Sequence, residues 1–199
     1  MSQDKLVKLL QDVDKRLRNG NSINEWYSYA PVISDGTKHT VYLTNEFAEP
    51  SLYNKLCHEL VNANEYDEFT LVINSPGGIL DSAFMIINAI NTSSAKITAR
   101  LVGTIASAAT IIALSCDELI ISDDLAFMIH NYSAGMQGKG HEMKARQKFM
   151  DNQLENSFKN YYLGFLSEEE IQDILEGKDI WLNSKEVKDR WKNKKALDE

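Results

Sequence analysis

The sequence predicts an α/β fold, a mainly parallel sheet with crossover helices, on three observations. Between Phe69 and Leu114, short apolar runs of strand length alternate with runs of helical period. The two strand-to-helix junctions, Ser75-Pro76-Gly77-Gly78 and Gly103-Thr104-Ile105-Ala106-Ser107, each contain glycine. The chain of 199 residues is 43% hydrophobic and 25% charged, the composition of one ordinary globular domain.

The elements follow in order. Leu6, Leu9, Leu10, Val13 and Leu17 recur at helical spacing, and Gly20 stops that helix. From Asn19 to Lys38 the chain is polar and irregular, with Pro31 and the turn-like Ser34-Asp35-Gly36. Thr40 to Thr44 reads as a strand, and Glu49 to Asn62 as a helix with Leu52, Leu56 and Leu60 on one face. Strand Phe69–Asn74 leads to helix Leu80–Asn91, and strand Ile97–Val102 to helix Ser107–Leu114. Glu118–Ile121 and Ala126–Ile129 are short strands. Met143 to Phe165 is the longest helical pattern, its apolar stripe packing on its own sheet or on another subunit. Ser167 and Glu170 form a capping box, and Gly177 stops the helix they open. Lys185 to Lys195 is a solvated, basic helical face. Residues 1–39 are thus an N-terminal helix and irregular segment, and 40–199 the folded domain.

Bulk properties exclude several classes. A net charge of -8, from 21 basic and 29 acidic residues, argues against a nucleic-acid or anionic-membrane partner. Cys57 and Cys116 lack metal-ligand or redox spacing and read as buried thiols in a reducing compartment. The N-terminus lacks the apolar core of a signal peptide. The most apolar run, Leu101 to Cys116, is rich in Ala, Ser, Thr and Gly and falls short of the roughly 20 predominantly apolar residues of a spanning helix, so it reads as a buried core segment. These features predict a soluble, cytoplasmic protein.

Four features together supply the parts of acyl-transfer chemistry. Ser107 stands where a strand gives way to a helix, a place that exposes its hydroxyl near a helix N-terminus. Pro76 preorganises its turn, and Gly77 and Gly78 let backbone N–H groups approach a ligand. Of the four histidines, His39, His58, His130 and His141, His130 alone closes an apolar strand, where a ring is held rigidly yet reaches a cleft. Asp179 precedes the apolar Ile180-Trp181-Leu182 and has the chemistry to orient an imidazole. Each feature alone has an ordinary structural explanation; their joint order points to a serine hydrolase. Gly-x-Ser-x-Gly is absent, Gly135-x-x-Gly138-Lys139-Gly140 is not a phosphate-binding loop, and there is no His-Glu-x-x-His metal motif. No cofactor is implied.

Ile73-Asn74-Ser75-Pro76-Gly77-Gly78, Gly103-x-x-Ala106-Ser107, Met128-Ile129-His130 and Asp179-Ile180-Trp181-Leu182-Asn183-Ser184 together resemble the ClpP peptidase family, as does the strand Val41-Tyr42-Leu43-Thr44. The similarity runs from about Thr40 to Val187. It implies a Clp/crotonase-like ββα spiral in which Met143 to Phe165 is a long protruding handle helix. It implies Ser107 as nucleophile, His130 as general base and Asp179 as third triad member, with Gly78 and Ala108 contributing the N–H groups of an oxyanion hole. It implies a homo-oligomer of seven-membered rings stacked in pairs, cutting polypeptide substrates inside a chamber. Ala108 stands where the family commonly has Met, and Tyr132 where it has Pro. Thr70 and Val72 replace aromatics of the unfoldase-docking surface, and residues 1–39 do not match the axial-loop segment. Two partners stay open: a Clp-type AAA+ unfoldase, against which these departures count, and phage capsid proteins, as for family members acting in head maturation without an ATPase. A ring scaffold without turnover and an acyl-thioester enzyme of crotonase fold are the other readings.

Overall fold

The computed structural model describes residues 29–198, so the helix expected at Leu6 to Leu17 lies outside the described residues. A seven-stranded mixed sheet organises them: β1 (Val32–Asp35), β2 (Lys38–Leu43), β3 (Glu68–Ser75), β4 (Lys96–Ala106), β5 (Glu118–Ile121), β6 (Ala126–Ile129) and β7 (Ile180–Asn183). The path runs β1-β2-β3-β4-β6-β7, with β5 paired to β4. Pairs β2–β3, β3–β4, β4–β5 and β4–β6 are parallel, whereas β1–β2 and β6–β7 are antiparallel. The six helices are α1 (Asn54–Asn62), α2 (Leu80–Thr92), α3 (Ala108–Leu114), α4 (Gly140–Tyr162), α5 (Glu168–Leu175) and α6 (Ser184–Asp198).

Period-two patterning sets which face is buried. Val41 and Leu43, Phe69, Leu71 and Ile73, and Ile97, Ala99 and Leu101 point into the core, while Thr70, Val72, Thr98 and Arg100 face the other way. The core face is filled by Leu56 and Leu60 of α1, Ala83, Ile86, Ile87 and Ile90 of α2, and the wholly buried α3.

β4 is the element that positions the site. The strand expected to stop at Val102 runs on to Ala106. Its register against β3 jumps from Ile73↔Leu101 to Ser75↔Ile105, a bulge that absorbs Gly103. Gly103 sits at φ +70°, and a Cβ there would lie 2.9 Å from Asn74 Oδ1, which accepts from Thr104 N. A glycine that reads as a turn is here a kink within one strand. The first half of β4 pairs with β5 and the second half with β6, so the sheet coils about this strand.

Three further differences have local causes. The segment expected to be irregular up to Lys38 contains β1, because Gly36-Thr37 is a two-residue hairpin turn (Gly36 at φ +63°) that folds Val32 back onto Val41. The helix expected from Glu49 begins instead as a 3₁₀ turn, Pro50–Tyr53, before α1. The long helix starts and ends three residues earlier than expected, and it buries only Leu154, Phe158 and Tyr162. No residue from Gly140 to Phe149 is buried by the described residues, and Phe149 is 64% exposed. The capping box at Ser167 is formed as expected, Ser167 Oγ accepting from Glu170 N and the Glu170 carboxylate from Ser167 N. No helix among the described residues is long and apolar enough to cross a membrane.

Candidate active site

Ser107 links the end of β4 to the start of α3 at φ 56°, ψ −128°. It is the single non-glycine residue with positive φ among the described residues. Such a conformation costs about 1–3 kcal/mol and persists only where its surroundings fix it. Ser107 N donates to Met128 O at 2.9 Å, carrying the β4–β6 ladder one residue past the strand. Ser107 O accepts from Thr110 N at 2.9 Å and from Thr110 Oγ1 at 2.6 Å. The peptide is therefore held from both sides. Ala108 opens α3, so its N–H has no acceptor within the helix.

The Ser75-Pro76-Gly77-Gly78 turn packs directly on this elbow. A Cβ on Gly77 (φ +97°) would lie 2.6 Å from Ser107 Cβ and 2.8 Å from Ala106 O, so only glycine fits. Ser75, 1% exposed, donates from Oγ to Asn45 O at 2.7 Å and accepts from Gly77 N at 3.2 Å. Phe47 N donates to Gly77 O at 2.7 Å, and Ile79 N donates to Phe47 O at 2.8 Å. The groups on either side of Gly78 are thus satisfied by Phe47, which approaches so closely that a Cβ on Gly78 would meet its carbonyl oxygen at 2.3 Å. No backbone hydrogen bond among the described residues engages the Gly78 N–H.

His130 follows β6 directly and is half-buried. β6 pairs antiparallel with β7, Ile129 facing Ile180, and extending that register by one residue sets His130 opposite Asp179. Asp179 itself is exposed. It emerges just after α5, which a Schellman-type turn at Gly177 (φ +99°) closes, Gly177 N donating to Ile174 O and Lys178 N to Asp173 O. Asn131 Nδ2 donates to Leu175 O at 3.0 Å, tying the segment after His130 to the helix before Asp179. The next residue, Tyr132, donates from its hydroxyl to Asp151 Oδ1 on α4.

A cavity of about 420 Å³ brings Ser107, Ala108, Gly78 and His130 together. Its apolar lining includes Ile79, Ile111, Met150 and Phe158, and Glu46 and Asp81 also line it. Asp179 is not part of that lining. The other histidines stand elsewhere: His39 is stacked on Phe69 and bonded to Ser34 and Asp67, His58 is bonded to Asn62, and His141 is exposed on α4. Both cysteines are buried; desolvation pushes the Cys57 thiol up to about 11 and raises Cys116 as well, leaving them poor nucleophiles. Among the described residues no three His, Cys, Asp or Glu side chains converge as metal ligands. The sequence reading missed the supports around the site (Phe47, Asn131, Thr110 and Tyr162). Only Asn131, polar and adjacent to His130, carried a local hint.

A mixed α/β sheet coiled about one long strand, with a strained serine at its end and a glycine turn against it, defines a class of fold and cleft. The chain belongs to the Clp protease family, whose model matches residues 27–190. Members of this family are peptidases, generally of serine type, and form oligomeric rings. No curated protein matches the chain.

Proposed function

We propose that the chain is a serine endopeptidase of the ClpP type, with Ser107 as nucleophile and His130 as general base. Asp179 orients the imidazole, and the N–H groups of Gly78 and Ala108 form the oxyanion hole. The observation that carries this reading is the positive φ of Ser107 in a cavity shared with His130 and Gly78. A catalytically silent ring scaffold has no use for strain at that residue.

In the proposed reaction Ser107 Oγ attacks a peptide carbonyl as its proton passes to His130. Negative charge gathers on the carbonyl oxygen between the Gly78 and Ala108 N–H groups, where each donor is worth about 3–4 kcal/mol in the transition state. Collapse of the adduct breaks the C–N bond, and His130 protonates the departing amine. Water, activated by the same imidazole, then releases the acyl group and regenerates Ser107.

Seven subunits per ring, two rings stacked and α4 between them form the proposed assembly. The support is the stretch of α4 from Gly140 to Phe149, in which no residue is buried and Phe149 is exposed. A second reading, head maturation of phage capsid proteins without an AAA+ unfoldase, draws on Thr70 and Val72 at the outward positions of β3. The test is degradation of casein, a loosely structured protein, with and without a Clp-type unfoldase and ATP. Cleavage lost in Ser107→Ala rings of unchanged size is the expected result. Cleavage retained by that variant contradicts the reading, and cleavage independent of unfoldase favours the second partner assignment.

A further inference from the structure

Two hydroxyls outside the Ser-His-Asp set form a one-way hydrogen-bond chain ending on the nucleophile's own peptide. Thr110 Oγ1 donates to Ser107 O at 2.6 Å and stands 2.6 Å from the Tyr162 hydroxyl. A threonine hydroxyl has one proton, and here the carbonyl takes it, so Tyr162 is the donor of the second bond. Thr110 is 0% exposed and Tyr162 1%, so both hydroxyls depend on each other and on Ser107 rather than on bulk water. Burial also raises the Tyr162 phenol above its ordinary value, so it stays a donor at neutral pH. Tyr162 ends α4 and lines the cavity, and Thr110 lies in the first turn of α3.

The peptide unit receiving these bonds joins Ser107 to Ala108. Its oxygen is the shared acceptor, and its N–H is the Ala108 donor of the proposed oxyanion hole. Bonds to a carbonyl oxygen draw electron density through the amide and make the N–H a stronger donor. They also fix ψ of Ser107, which sets where that N–H points. We infer that Thr110 and Tyr162 are positioning residues for transition-state stabilisation, polarising and aiming the Ser107–Ala108 peptide at the developing oxyanion. This rests on the assignment of Ser107 and Ala108 above. Packing alone gives no reason for the pair, because Val and Phe fill the same volume without burying two hydroxyls that must be partnered.

The test uses the full chain and compares Thr110→Val, Thr110→Ser, Tyr162→Phe and the Val/Phe double variant, with Ser107→Ala as reference. Melting temperature and oligomer size report folding. The readouts are kcat and KM on a fluorogenic peptide with an apolar residue before the scissile bond, together with the rate of fluorophosphonate modification. If each lost bond weakens the Ala108 donor by about 10–30%, Thr110→Val lowers kcat and the modification rate about fivefold at unchanged KM. Tyr162→Phe lowers both about twofold, and Thr110→Ser stays within about 1.5-fold of the parent. Thr110→Val leaves the Tyr162 hydroxyl unpaired; the double variant removes that burden and is expected to match Thr110→Val in rate, not multiply it. A folded double variant with parental kcat and modification rate overturns the inference, as does a loss that Thr110→Ser shares or one confined to KM. Cleavage surviving in Ser107→Ala overturns instead the site assignment beneath it.

Discussion

Ser107 sits in a cradle made almost wholly of backbone, whereas the segment carrying His130 is held by its own side chains reaching out to other elements. On the first side, Met128 O, Thr110 N and the two glycines at 77 and 78 fix the chain at contact distances that no side chain tolerates. On the second, one Asn131 amide and one Tyr132 hydroxyl span to Leu175 and Asp151. One half of the cleft is over-determined by the fold, while the other follows the placement of α4 and α5. Damage to the cradle should cost folding; damage to the rim should cost activity first.

The largest effect is expected at the cradle. Gly77→Ala puts a methyl 2.6 Å from Ser107 Cβ at a backbone angle that alanine avoids, and is expected to destabilise by about 2–4 kcal/mol in urea unfolding. A variant of parental stability would break the contrast. At the rim, Asn131→Ala removes one hydrogen bond and is expected to cost only about 1 kcal/mol. Its peptidase kcat should nonetheless fall severalfold, because the His130 segment loses its tie to the helix before Asp179. Equal and small losses in both measurements would mean that this tie does not position His130.

Acid offers a gentler probe. Arg190 on α6 grips Glu170 on α5 with bonds of 2.8 and 2.7 Å, and chiefly this contact holds the Glu170 carboxyl down to about 2 from 4.5. The folded-state value lies below the unfolded one, so the contribution is complete above about pH 4.5 and fades as pH falls toward 2. The stability gap between the parent and Glu170→Gln is expected to narrow over that window. Hydrogen exchange should show Asn131 to Lys139 opening before Ala106 to Thr110. The smallest effect is expected from Tyr132→Phe, which loses an exposed bond to Asp151 and should change stability by less than about 1 kcal/mol.

Periodicity made most of the fold legible in the sequence. β5 and β6 begin and end where their apolar runs do, and the capping box at Ser167 is a local signal with a local structure. What was not legible depended on partners distant in sequence. Gly103 looks like a stop until Asn74 is seen to fill the space beside it, and Asp35-Gly36 looks like loop until Val32 finds Val41. The site divides in the same way. Ser107, Gly78, Ala108 and His130 line one cavity, each marked locally by a glycine turn or a strand end. Asp179 and His130 each lie one residue beyond the paired Ile180 and Ile129 of β7 and β6, and Asp179 stands exposed outside that lining. Thr110 and Tyr162, 52 residues apart, carry no local mark at all.

The most direct test of the central claim, a nucleophile at Ser107 served by His130, is fluorophosphonate labelling of the intact assembly with the modified residue mapped by mass spectrometry. The account predicts labelling at Ser107 alone, abolished by Ser107→Ala and strongly slowed by His130→Ala, with oligomer size unchanged. Labelling that survives in Ser107→Ala, or a correctly assembled parent protein that takes up no label, would contradict it.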